Sequence, residues 1–322
     1  MLYCVPEATP CACRAIAAVH IKGMLHLLQL EWRISLSMKE NKFYNSTIWI
    51  LAATTALMLS GEMIGGLLLP QPDVSQAYFH TLMAYASFIP MWGVVIFAVT
   101  AVKRNRDIGK SFLMDHAGNT AAYLAAGLLI GFLLNMLCAS VAIFRGDIAL
   151  EFKQFEIFPV LGLFVAVFIQ SSAEEVLCRG FLYQRLLRAT ERPYFAVFLN
   201  AAFFAAIHLF NEGMNPLAFY DMLITGIFFS LIVFYFNSLW MAMGIHATWN
   251  FTQSILLGLP NSGASFPYSI FGPDGGIAHN SFAYHTEFGL EGTILSAATM
   301  TVLCIALYIA KNKRPDSKKA DR

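Results

Sequence analysis

Charge is scarce in this chain: of 322 residues only 13% are Asp, Glu, Lys or Arg, while 57% are hydrophobic, and the mean hydropathy is +0.60. So little charge excludes an ordinary soluble domain, in which the charged share is about 25%. The 21 basic and 20 acidic residues leave a net charge of +1, and with no cationic excess no nucleic-acid partner is expected. Cysteine is equally thin. The six, Cys4, Cys11, Cys13, Cys138, Cys178 and Cys304, form no disulfide framework. Three of them fall in apolar runs, where Cys acts as a small hydrophobe, and Cys11 and Cys13 have no companion histidine close by with which to hold a metal. The chain has no His-Glu-x-x-His helix, no phosphate-binding glycine loop and no internal repeat.

What it has is long apolar runs. Eight of them, at 47–69, 78–102, 121–144, 157–177, 193–210, 217–236, 239–257 and 288–310, have the length of roughly 17 to 25 residues that crosses a bilayer as a helix. The expected fold is therefore all-α: a polytopic membrane protein, a bundle of about eight transmembrane helices over 47–310. Lysine and arginine give the orientation, because loops rich in them stay in the cytoplasm. With the N-terminus inside, 19 of the 21 basic residues fall on one side, and Arg145 and Lys153 fall on the other. An integral, multi-pass protein with both termini cytoplasmic is expected, with 311–322 as a basic tail.

Residues 1–46 form an N-terminal cytoplasmic segment whose charges, Glu7, Arg14, Lys22, Glu31 and Arg33, interrupt every apolar stretch a secretory signal would need. Two readings stand for it: an interfacial helix over 21–37, or translation beginning at Met38, slightly favoured, with MKENKFYNS as a short basic lead. Glu62 in the first run and Asn135 in the third are expected to be packing contacts between helices. Residues 258–287, rich in Gly, Pro, Ser and Asn, read as a long external loop with His279 and His285 solvated.

One stretch is out of place in so apolar a chain. SSAEEVLCRG, residues 171–180, sets Glu174, Glu175 and Arg179 at the end of a spanning run, where an ionised carboxylate is costly and normally faces a polar interior with a function. Adjacent helical residues point about 100° apart, so the two glutamates take different work. Glu175, four residues before Arg179, is placed for an ion pair, which leaves Glu174 available as a general base. Beyond them, an amphipathic helix runs to Glu191, Arg192 and Pro193 before the fifth run rises to His208. If the two helices form a hairpin turning near 191, Glu174 and His208 both stand roughly 25 Å from the turn, at ~1.5 Å per residue, and can meet. In the seventh run His246 and Asn250 are four residues apart and share a face.

Two carboxylates, two histidines and an asparagine on neighbouring apolar helices suit hydrolysis of an amide. That reaction needs a base to activate water, an acid for the leaving amine and a donor to the oxyanion. Glu174 is the expected base; His208 orients the water or shuttles its proton, with the Phe204 ring packed one turn before it; His246 is the acid and the Asn250 amide the oxyanion donor. These residues resemble the CAAX-processing and bacteriocin-processing (CPBP or Abi) intramembrane proteases, which include the type-two CAAX prenyl proteases. The family's EExxxR is matched by Glu174, Glu175 and Arg179, its FxxxH by Phe204 and His208, and its HxxxN by His246 and Asn250, all within 157–257.

The resemblance implies an eight-helix protease core in which a glutamate activates water, opening toward the cytoplasm. Metal-independent chemistry is the expectation, with zinc as the alternative; His208 and His246 would then be ligands. The expected function is an intramembrane endopeptidase acting on a membrane-associated or lipidated protein or peptide, with the bilayer and that substrate as partners. Two other classes compete with it. One is a non-catalytic self-protection or regulatory binding protein of the same fold; the other is a proton-coupled transporter, which lacks the inverted repeat expected of it. Whether the substrate is a prenylated C-terminus, a peptide precursor or a membrane protein stays open, as does the oligomeric state.

Overall fold

The computed structural model describes residues 44–113 and 118–312. Both readings of 1–43, and the tail from 313, lie outside the described residues. The chain divides into two units, Met1–Trp49 and Ile50–Arg322. Of the first, residues 44–49 are described, and there the Trp49 N–H donates to Ser46 Oγ at 3.2 Å.

The helices are α1 (Thr47–Leu68), α2 (Ala77–Ala86), α3 (Ile89–Ala101), α4 (Ala121–Phe144), α5 (Ile157–Glu175), α6 (Tyr183–Thr190), α7 (Pro193–Ile207), α8 (Pro216–Phe236), α9 (Leu239–Phe251) and α10 (Ile294–Asn312). Two π-helical turns, Val176–Leu182 and Thr252–Leu256, follow α5 and α9. The protein is thus a polytopic all-α membrane protein, with six spans among the described residues long and apolar enough to cross a bilayer. Two of the eight runs fall short of that length as regular helix. The fifth forms the 15-residue α7, and the seventh forms the 13-residue α9 before its π turn. The fourth is longer than expected, since α5, its π turn and α6 make one span, Ile157–Thr190.

Local chemistry sets the boundaries. Asn215 accepts from the N–H groups of Leu217 and Ala218 at the start of α8, with Pro216 following it. Ser238 caps α9 through the Met241 N–H, and Asn119, from the loop before α4, accepts from the Leu239 and Trp240 N–H groups at 2.9 and 3.2 Å. Glu191 closes α6 with a left-handed φ of 54°, and Pro193 then opens α7. Residues 271–278 depart from the loop reading. They form strand β2 (Phe271–Ala278), antiparallel to β1 (Ile148–Phe152), with Leu150 opposite Pro273 and Phe152 opposite Phe271. Glu62 is exposed rather than packed, whereas Asn135 is buried and donates to Gln253 Oε1 at 2.9 Å. His279 is exposed as expected, but His285 is half-buried and accepts from the Phe288 N–H.

The bundle has two distinct ends. At one, Arg185 donates to Asn105 Oδ1, Arg188 to the Arg104 carbonyl and the Trp240 indole to the Phe112 carbonyl. At the other lie the β1–β2 ribbon and the bonds from Asn211 to the Ser262 carbonyl and from Ser281 to Asp147.

Helices α4 and α9 meet backbone to backbone. A Cβ on Gly127 would strike the Met241 carbonyl, and one on Gly131, a turn later, the Ile245 carbonyl; small residues four apart permit such an approach. Because Ile245 precedes His246, Gly131→Val pushes on the helix that carries the histidine. It is expected to cost about 1–3 kcal/mol by overpacking. Thermal unfolding in detergent measures the effect. A parent-like unfolding temperature would show that the contact is not close.

Candidate active site

Helix α5 delivers its two glutamates to different surroundings. Glu175 and Arg179 are fully buried, joined by Arg179 Nη1 donating to Glu175 Oε1 at 2.9 Å. The guanidinium also donates through Nη2 to the Gly226 carbonyl at 3.2 Å, and its carbon sits 4.4 Å from the Phe204 ring centre and 5.2 Å from that of Phe229. Aromatic faces attract a guanidinium, more strongly where water is excluded. Glu175 Oε1 accepts a second bond, from His246 Nδ1 at 3.0 Å. The pair is therefore a triad, and Glu175 aims a histidine as well as neutralising the arginine.

Glu174 turns instead into a cavity of about 210 Å³, where its side chain is 14% exposed. Gln170, one helical turn earlier, donates to its Oε1, and His246 Nε2 lies 3.8 Å from its Oε2. His246 thus stands between the two carboxylates, its ring stacked on Phe229 at 5.3 Å. His208 enters from the C-terminal end of α7. Its Nδ1 is 2.7 Å from the Phe204 carbonyl. A carbonyl only accepts, so Nδ1 carries the proton and Nε2 of the neutral ring keeps its lone pair. The Phe204 ring packs 4.8 Å from the His208 ring and 6.2 Å from that of His246.

Asn250 lines the same cavity, but its amide nitrogen donates to Gln170 Oε1 at 3.3 Å and Ser171 Oγ at 3.1 Å. Both amide hydrogens are engaged within the protein, so in this arrangement Asn250 steadies the Gln170–Glu174 contact and offers no hydrogen to an oxyanion.

Glu174, Phe204, His208, His246 and Asn250 all border one cavity, then, while the buried Glu175 and Arg179 stand behind them. Sequence reasoning missed Gln170, Ser171 and Phe229. Gln170 had a legible signal, since it lies four residues before Glu174 on the same helical face. It also missed Glu291, a buried carboxylate farther along the cavity that accepts from the Trp249 indole at 2.6 Å, the Ser262 N–H at 2.7 Å and Gln253 at 3.2 Å.

A polar cluster inside an apolar bundle, drawn from α5, the end of α7 and α9, is the arrangement on which comparison with known proteins bears. Residues 156–252 match the family described as type II CAAX prenyl endopeptidase Rce1-like. The match covers all three motifs, the α5 to α9 helices and the first residue of the second π turn, and it supports an intramembrane CAAX-type protease fold. No curated protein and no solved structure matches the chain. Helices α1 to α4, strand β2 and α10 lie outside the Rce1-like segment.

Among the described residues, no three His, Cys, Asp or Glu side chains are grouped so as to hold a metal ion. His246 Nδ1 faces Glu175 and His208 Nδ1 faces a carbonyl, which leaves the two Nε2 atoms and Glu174 as the remaining donors.

Proposed function

We propose that the protein is an intramembrane endopeptidase that hydrolyses a peptide bond of a membrane-associated or lipidated protein, with water activated by Glu174. The observation that carries this reading is the division of the glutamate pair: Glu175 is fully buried and held through Oε1 by Arg179 and His246, whereas Glu174 shares a cavity with His208 and His246. A water between Glu174 Oε2 and His208 Nε2 gives its proton to the carboxylate as its oxygen bonds to the peptide carbonyl carbon. His246, held through Nδ1–H by Glu175, is stabilised as an imidazolium. From Nε2 it donates first to the oxyanion and then its proton to the leaving amine as the C–N bond breaks. Gln170 and Asn250 fix the Glu174 carboxylate. Ordered donors in a water-poor site need no reorganisation during the reaction.

The proposed steps use the chain's own groups. Purified protein treated with a strong chelator is expected to keep most of its activity on a membrane-anchored reporter peptide. Stoichiometric zinc, lost with activity on chelation and restored with it, would overturn this and make His208 and His246 ligands. A reporter panel left uncleaved by purified protein, yet bound by it, would favour the non-catalytic binding protein.

A further inference from the structure

The void beside Glu174 has a direction. Helix α8 gives the scale: Phe229, stacked on His246, is 13 residues from Pro216 and seven from Phe236, so the site stands roughly 10 Å from one end of the bundle and 20 Å from the other at ~1.5 Å per residue. The nearer end is the basic one. It carries Lys103, Arg104, Arg106 and Lys110 before α4 and Arg185, Arg188 and Arg192 around α6, and Lys311, 3.9 Å over the Phe236 ring, brings the end of α10 to it. The farther end has Arg145 and Lys153.

Height alone would send a substrate in by the short route, but that route is filled. Every residue of the π turn Val176–Leu182 is buried, and the Glu175–Arg179 pair lies across the path between the Phe204 and Phe229 rings. On the basic side of Arg179, the recess bordered by Ser111, Gln184 and Asn237 holds about 10 Å³, at most the room for one water. The cavity runs the other way. The same cavity that His246 borders is lined by Trp249 and Glu291 and by Asn211, Ser262 and Ala264 in the loops of the farther end, where Ala264 is exposed and Asn211 and Ser262 are half-buried.

We infer that the candidate active site is entered from the end of the bundle opposite the basic loops, the non-cytoplasmic face, and that its substrates are peptide segments presented on that side. The basic end stays in the cytoplasm because lysine- and arginine-rich loops resist translocation. This reverses the access expected from the resemblance. It also places a prenylated C-terminus made in the cytoplasm on the wrong side, and favours translocated segments of membrane proteins or exported peptides. That cleavage occurs there rests on the proposed function; the side of entry does not.

Sidedness is therefore measured without catalysis. In a full-length protein with its native cysteines replaced by serine, Ala264→Cys marks the mouth and Lys110→Cys the basic end; Lys110 is 72% exposed. Each is treated with a charged maleimide, which does not cross hydrocarbon, in sealed right-side-out and in inverted membrane vesicles. The expected result is that the cysteine at 264 is labelled only in right-side-out vesicles and the one at 110 only in inverted ones. Labelling of position 264 from the same side as 110, from both sides or from neither overturns the inference. The protease reading fails or stands separately, on the Glu174→Gln variant.

Discussion

Glu174→Gln is expected to lower peptide cleavage by roughly 10² to 10⁴ while the protein still folds and inserts. The amide keeps the size of the carboxylate but cannot take a proton from water. Glu174 borders the cavity and holds up no arginine, so thermal unfolding in detergent should be unchanged or raised, since removing a poorly solvated charge relieves its burial. Turnover and unfolding of the same preparation decide the matter. Residual activity within a few-fold of the parent would remove Glu174 from the base role.

Glu175→Gln should behave differently. It leaves a fully buried guanidinium without its carboxylate, and breaking one side of such a pair costs about 3–5 kcal/mol. The cation–π contacts with Phe204 and Phe229 do not replace the lost charge. Pairing with Arg179 alone would confine the effect to stability, but Glu175 also holds His246 Nδ1 at 3.0 Å, so the rate should fall with it. Glu175→Gln combined with Arg179→Gln separates the two consequences. Stability recovers in part because the unpaired charge has gone, whereas the rate does not, because His246 still lacks its carboxylate. A double-mutant cycle in unfolding temperature, with cleavage measured alongside, tests this. Additive stability losses, or a rate restored by the second substitution, would mean that Glu175 does not serve both partners.

Much of this site could be read from residue spacing. Four-residue intervals specify a shared helical face, and they put Glu175 with Arg179, Phe204 with His208, and His246 with Asn250. A hairpin turning near 191 puts Glu174 and His208 at one height, and the two border one cavity. Spacing says nothing, however, about which helices are neighbours. For that reason the Glu175–His246 bond, 71 residues apart in the chain, and the engagement of Asn250 by Gln170 and Ser171 were invisible.

Other misses have local causes. The β2 segment carries Gly, Pro and Asp, which read as a loop, and its pairing comes from a distant partner in β1. The run counted as the fifth span extends past α7 because Leu209 and Phe210 continue it into the loop that follows, and the seventh extends past α9 into the π turn Thr252–Leu256. Glu291 sat unremarked in an apolar run, since its four donors come from residues 29 to 42 positions away. Access could not be read at all, because a void has no sequence signature of its own.

The central claim is that Glu174 makes this protein a protease rather than a binder. Peptide termini in membranes from cells producing the intact chain, compared by mass spectrometry with those from cells producing Glu174→Gln at equal abundance, test it most directly. The account predicts a set of new C-termini that appear only with the intact chain and take up one ¹⁸O from labelled water. Identical sets of termini in the two membranes would contradict it.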